Sequence, residues 1–404
     1  MSIENMATSP PPVGYRAWLA VVSVALAIFA VVSAEMLPIG LLTPIAHSLD
    51  QSVGQSSLII SLPSWVAAIT APCVVLIFNR INRRSLLLFF MLLLLGSNLM
   101  AAWVNDFHWL LFARILFGIS MGGIWCMAGS LAIRLVPLHV VGLATSIIFS
   151  GIAAASVLGV PLGVYLGDLW GWRFAFICIA IMVAVVFVML YWSLPSLETD
   201  PTAHWSSSLD VLKQKNVLFG LAITVFMVMA QFSAYTFIRP LLQSVAQFSD
   251  QHISALLLFY GFFGILGNFT AGHFAQKYLW QTLCTIAVFI GVSLLIFAYF
   301  GGSQSISIIL LLIWGMAYGG VSVSLMTWMM RAAPTQIEIA SAFNISMFNL
   351  SIGLGAFTGG LIVDHMGLEQ NLISAAVFST VAALLILLCV KTRNQPQPLE
   401  SKRP

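Results

Sequence analysis

Long apolar runs separated by short polar breaks fill this chain from residue 18 almost to its end. A bilayer core about 30 Å thick needs roughly 20 apolar residues per spanning helix. About twelve runs qualify, near 18–45, 55–78, 85–104, 109–133, 141–166, 172–193, 217–242, 253–275, 281–300, 305–330, 337–363 and 370–391. The longest polar break, 195–216, divides them into two sets of six. The pattern predicts an all-α membrane protein of twelve transmembrane helices in two six-helix halves, 18–194 and 217–391, with a linker at 195–216 and tails at 1–17 and 392–404.

Composition narrows the class. The chain is 60% hydrophobic and 7% charged, with mean hydropathy +1.01, whereas a soluble domain carries about 25% charged residues. A net charge of +3 is too small to suggest nucleic acid. Cys73, Cys126, Cys178, Cys284 and Cys389 all fall in apolar runs without metal-like spacing and imply no disulfide framework. The first apolar run is too long for a signal-peptide core, so it is expected to be kept. With a cytoplasmic N-terminus, the inside segments hold Arg16, Arg80, Arg83, Arg84, Arg134, Lys213, Lys215, Lys277, Arg331, Lys391, Arg393, Lys402 and Arg403. The outside loops hold only Arg173 and Arg239. The positive-inside rule therefore predicts that both termini are cytoplasmic.

The halves repeat. At an offset of 196, Ala34-Glu35 aligns with Ala230-Gln231, Pro44 with Pro240, and Gly159, Gly163, Asp168 and Gly171 with Gly355, Gly359, Asp364 and Gly367. At 197, Gly118, Gly122, Gly123, Arg134 and Pro137 align with Gly315, Gly319, Gly320, Arg331 and Pro334. Parallel six-helix repeats bring a substrate site to the boundary between halves.

Glu35 is the only acidic residue deep inside an apolar run, Glu338 standing at the very edge of the run 337–363. A charge in hydrocarbon costs about 2.5–3.5 kcal/mol or more, which makes Glu35 a functional candidate. Pro38 and Pro44 follow it, so the end of this helix is expected to kink or break. Helix rise places Arg114 of span 4 at a similar depth. Desolvation favours a neutral carboxyl and a nearby guanidinium favours a charged one, so a cavity that opens and closes could move a proton on and off. A purely structural Glu35–Arg114 ion pair is the alternative. Near mid-membrane, Gln231 and Tyr235 share one face of span 7, and Trp314 and Tyr318 one face of span 10. Asn344 and Asn349 on span 11 and Trp125 on span 4 complete a lining suited to a neutral heterocycle bearing hydroxyls. Each aromatic or amide could instead serve only helix packing.

Several blocks resemble the major facilitator superfamily over nearly the whole chain. Asn79-Arg80-Ile81-Asn82-Arg83-Arg84 resembles the family's D-R-x-G-R-R loop, with Asn in place of its Asp and Gly. Arg114-x-x-x-Gly118 resembles its span 4 motif, and Gly159-Val160-Pro161-Leu162-Gly163 is a shortened antiporter motif. Gly171-Trp-Arg-Phe-Ala-Phe176 is similar to proton-linked drug-efflux members. The blocks Glu35-Met-Leu-Pro-Ile-x-Leu-Leu-Thr-Pro44, Gly122-Gly-Ile-Trp-Cys-Met127, Ser130-Leu-x-x-Arg-Leu-Val-Pro137 and Thr236-Phe-Ile-Arg-Pro240 resemble its purine ribonucleoside efflux branch.

The resemblance implies a monomeric, multi-pass protein of the bacterial inner membrane, needing no cofactor beyond a proton gradient. It implies proton antiport of a small polar metabolite, such as inosine or guanosine, with sugar or multidrug efflux as the alternative. It also implies that Gly159, Pro161 and Gly163 lie between the halves, and that Arg80, Arg83 and Arg84 could clasp the inner face. No ATP-binding loop is present. Glu35 and Arg114, the charges deep inside apolar runs, are too few convergent groups for an enzyme. No nucleic-acid partner is expected; the expected partners are the substrate, protons and lipid.

Overall fold

A computed structural model describes residues 14–77, 81–196 and 209–393. Among these residues the ordered elements are helices. The spans of the first half are α1 (Tyr15–Gly40), α2 (Leu58–Ile77), α3 (Arg83–Trp103), α4 (Phe107–Leu135), α5 (Val141–Trp170) and α6 (Trp172–Ser193). Span α7 is Lys215–Tyr235. Asp250–Phe300 runs for 51 residues, about 75 Å at 1.5 Å per residue and far more than one crossing needs. Non-helical backbone at Tyr278 (φ −122°, ψ 51°) divides it into α8 (250–277) and α9 (279–300). The remaining spans are α10 (Gln304–Ala332), α11 (Ile337–Met366) and α12 (Leu368–Arg393). Twelve crossings put Tyr15 and Arg393 on one face, the terminal face; the opposite side is the far face.

Local chemistry sets several boundaries. The Asp106 side chain accepts from the backbone N–H groups of His108 and Trp109 and caps α4. The Asn82 carbonyl oxygen caps α3 through the Arg84 N–H at 2.9 Å. Gly171 (φ 86°) and Gly367 (φ 94°) end α5 and α11 in the left-handed region, where glycine carries no Cβ penalty. These glycines are repeat partners, so both halves make the same sharp turn into their last helix.

The repeat is also a packing register. A Cβ on Gly118 of α4 would lie 2.6 Å from the Pro63 carbonyl of α2. A Cβ on Gly315 of α10 would lie 2.6 Å from the Tyr260 carbonyl of α8. Both members of the second contact are 197 residues beyond those of the first. Likewise Gly159 lies over Ser33 of α1, and Gly355, 196 residues on, lies over Met229 of α7. The glycines are thus where helix backbones touch.

The segment 159–163 borders the seam through Val160, which joins the second half's core, but Gly159 and Gly163 themselves turn away from it. They face Ser33 and Leu37 on α1, within their own half. Pro161 is inside α5 beside them. The seam between halves is formed by α2 against α11 and by α5 against the 250–300 run. On that seam Gly353 meets Trp65, and Gly360 meets Ser57 and Gly54.

The seam is closed at the far face. The apolar core of the second half continues through Ile39, Leu42, Ile60, Val160 and Val164 of the first. The rest of the first half's core forms separate clusters. Toward the terminal face, the buried residues among those described at 141–155 of α5 reduce to one stripe, Ala144, Ile148, Gly151 and Ala155. On the matching part of α8 they reduce to Gly267, Ala271 and Ala275. Away from those stripes the described side chains of both segments are exposed or half-buried.

Gly319 tests the register. A Cβ there would lie 1.9 Å from the Gly264 carbonyl, and overpacking of this kind costs about 1–3 kcal/mol. Gly319→Leu should lower the thermal melting midpoint of the purified protein, read by intrinsic fluorescence. An unchanged midpoint would mean that α8 and α10 do not approach this closely.

Candidate functional site

Three prolines shape the region around Glu35. Proline has no N–H, so each leaves the carbonyl four residues earlier without its helical donor. Pro38 releases Ala34, Pro63 releases Ile59, and Pro44 releases Gly40. Orphan carbonyls are expensive where no water reaches them. Arg114 is buried and serves two of them: its Nε donates to Ile59 O at 2.9 Å, and its Nη1 to Ala34 O at 3.3 Å. One guanidinium thereby ties α4 to both α1 and α2. Its carbon lies 4.1 Å from the centre of the Phe117 ring, a cation–π contact.

The expected Glu35–Arg114 pair is corrected by this geometry. The two residues share a depth and interact electrostatically, but no salt bridge forms between them among the described residues. The guanidinium is instead engaged by backbone. Its Nη2 is buried without a partner. Glu35 is buried, and no hydrogen bond to its carboxyl is present among the described residues. Across the seam, the Tyr318 phenol lies within electrostatic reach of Glu35.

In the second half the structure brings four predicted residues into one cluster and adds a fifth. Gln231 is fully buried; its Nε2 donates to Tyr260 Oη at 2.7 Å, and its Oε1 accepts from Trp314 Nε1 at 2.7 Å. Tyr235 stacks on Tyr260 with ring centres 4.8 Å apart and meets Trp314 edge-on at 6.0 Å. Tyr318 packs edge-on against Phe232 at 6.2 Å. A side-chain amide has two donors and room for two acceptances on its oxygen, so Gln231 keeps one N–H and one lone pair after these bonds. Tyr260 was missed from sequence because it stands alone in an apolar run, with Pro63 as its repeat partner.

The other candidates lie apart. Asn344 accepts from Thr224 Oγ1 at 2.7 Å and joins α11 to α7. Asn349 donates to Ile345 O at 3.0 Å, and its Oδ1 is buried without a partner. Trp125 is half-buried against the first half's own core. Arg84 donates from Nη2 to the Tyr191 carbonyl at 2.6 Å and lies over the Tyr191 ring. It therefore ties α3 to α6 inside one half and makes no clasp between halves. Arg83 is half-buried, and Arg80 lies outside the described residues. Arg239, expected in an outer loop, is buried.

Residues 24–338 match the Major Facilitator Superfamily. The chain belongs to that superfamily. This transporter is 31% identical to the purine ribonucleoside efflux pump NepI of Escherichia coli K12 over 378 residues, 93% of this chain and 95% of that one. It is 30% identical to the transcription regulatory protein OpdE of Pseudomonas aeruginosa over 380 residues, 93% and 94% of the two chains. Its fold matches a bacterial homologue of the human lysosomal transporter Spinster in an inward-facing, unoccupied conformation, with TM-score 0.76 at 16% identity, over 96% of this chain and 100% of that one. The major facilitator chain described here is a multi-pass membrane transporter and not an enzyme.

The two buried charges should separate in stability measurements. Arg114→Lys cannot reach both carbonyls and should destabilise the transporter by about 1.5–3 kcal/mol, the range for hydrogen bonds to a charged group. Glu35→Gln breaks no hydrogen bond and should leave the melting midpoint near wild type. Equal losses in both variants would restore the structural ion pair.

Proposed function

We propose that this transporter exports purine ribonucleosides such as inosine and guanosine in exchange for protons, by alternating access. The observation that carries the reading is the Gln231–Tyr260–Trp314 cluster, set across the seam from an unbonded, buried Glu35. Aromatic faces at Tyr235, Tyr260, Trp314 and Tyr318 suit a purine ring. The remaining donor and acceptor of Gln231 suit its polar edge and the ribose hydroxyls. The NepI relative supports the same substrate class.

Glu35 is the proton carrier in this reading. A carboxyl without hydrogen bonds can gain or lose a proton without breaking protein contacts. The spare Nη2 of Arg114 offers a fixed cationic donor in the same region. Arg114 is chiefly a positioning residue, because it holds the backbone of α1 and α2 together within the first half, next to Glu35. Gln231 stands at the repeat position of Glu35, so coupling belongs to the first half and recognition mainly to the second.

In this reading the chain sits in a bacterial inner membrane with both termini cytoplasmic, which the excess of basic residues in the segments on that side supports. The far face, where the halves are joined, is then outside, and a site between the halves loads from the cytoplasm, as export requires. The protein acts as a monomer and draws only on the proton gradient.

The test is uptake of labelled inosine into proteoliposomes, with and without an imposed pH gradient, for wild type and Glu35→Gln. Gradient-driven accumulation in wild type that vanishes in the variant is expected. Retained inosine exchange without a gradient in the variant would assign Glu35 to coupling rather than binding. Wild-type protein that moves no inosine would overturn the nucleoside reading, and arabinose and lipophilic drugs would be assayed next. Absence of flux for every class would favour a regulatory role, as the name of the OpdE relative suggests for that protein.

A further inference from the structure

The far face carries a set of polar contacts that join the halves and lie outside the proposed transport site. Arg239 follows the end of α7, in the segment Ile238–Pro240, and is buried. Its Nη1 donates to Gly40 O at 2.8 Å. That is the carbonyl Pro44 leaves without a helical donor. Its Nη2 donates to Asp168 Oδ1 at 2.6 Å, at the end of α5. Both acceptors belong to the first half and Arg239 to the second.

A second set of contacts runs the other way. Asp364, at the end of α11, accepts the Gly54 N–H at 2.9 Å and the Ser52 hydroxyl at 2.6 Å. These donors open the short helix Val53–Ser56 of the first half. Asp168 and Asp364 are repeat partners, so each half presents an aspartate at the same place to donors of the other. The approach at Gly54 is tight: a Cβ there would lie 2.2 Å from the Gly360 carbonyl and 2.4 Å from Asp364 Oδ1.

We propose that Arg239 is the pin of a far-face latch, which holds the halves closed there and releases when they part. The geometry supplies both states. Asp250, in Arg239's own half, lies 3.3 Å from the same Nη2 and is itself steadied by the Gln243 amide. When the halves separate, the guanidinium keeps Asp250 as a partner and is not left as an unpaired charge. Gly40 O and Asp168 then face the opened cleft and water. The pin also holds the far end of α1, five residues beyond Glu35, so opening of the far face acts directly on the helix that carries the buried carboxyl. The contacts Arg239 breaks on opening are therefore to the first half only, and those it keeps are within the second.

The latch is read by conformer populations, independently of any substrate. Paired nitroxide side chains at His47 and Gln370, exposed at the far face on opposite halves, report their separation in the full chain by pulsed electron resonance. Wild type should give mainly one short separation. Arg239→Ala should raise the long-separation fraction by at least about fivefold, the lower end of coupling between sites. Asp168→Asn should shift it in the same direction. Gln243→Ala, which touches only the partner that stays, should not raise it comparably. Monodisperse Arg239→Ala and Asp168→Asn proteins that keep the wild-type distribution overturn the latch. If Arg239→Ala does not fold, Asp168→Asn and Asp364→Asn decide the matter.

Discussion

The structure depends on where backbone carbonyls go when proline removes their donors. In water such a carbonyl is solvated at little cost; inside a membrane it must find a donor within the protein. Pro38, Pro44 and Pro63 free three carbonyls near one end of the bundle. Two buried arginines answer them. Arg114 answers from within the first half and fixes α1, α2 and α4 to one another. Arg239 answers from the second half and spans the seam. The prolines therefore do more than bend α1: they create acceptors at defined points, and cations are held against those points.

Around these tie points, the helices meet at glycines in the same register in both halves. Gly118 on Pro63 and Gly315 on Tyr260 are one contact made twice, as are Gly159 on Ser33 and Gly355 on Met229. Backbone-to-backbone approach makes each half stiff. The seam is made differently, with Trp65 against Gly353, a patch of branched aliphatic side chains, and polar bonds gathered at the far face. Stiff halves joined by a localised, breakable seam are the mechanical requirement for alternating access.

The polar groups of the cleft divide by whether their bonds are already made. The amide atoms of Gln231 each hold a partner, which fixes the orientation of Trp314 and Tyr260 and presents their rings in set positions. The Glu35 carboxyl, Arg114 Nη2 and Asn349 Oδ1 have none. A pre-formed aromatic wall with the unmatched Glu35 carboxyl across the seam is an arrangement that a polar heterocycle or water can complete.

The sequence by itself determined the spans, the two halves, the break near Pro38 and Pro44 and the candidacy of Glu35. All of these follow from hydropathy, spacing and the cost of charge in hydrocarbon, which are properties of one segment at a time. It also brought Gln231, Tyr235 and Trp314 forward through helical spacing and the repeat. Only the tertiary structure decided which residues those groups touch. Arg114 read as the ion-pair partner of Glu35 because charge was the visible signal, yet the carbonyls it bonds have no signature except a proline four residues later. Gly159 and Gly163 read as a seam between halves and instead bind α1 to α5. Arg239 read as a loop residue because it stands near the end of the run 217–242, and is buried because the facing half supplies Gly40 and Asp168. Tyr260 carried no local signal at all. Hydropathy decides that a helix lies in the membrane; which face meets which neighbour depends on rotation and pairing of helices far apart in the chain, and those are set by contacts that no single segment contains.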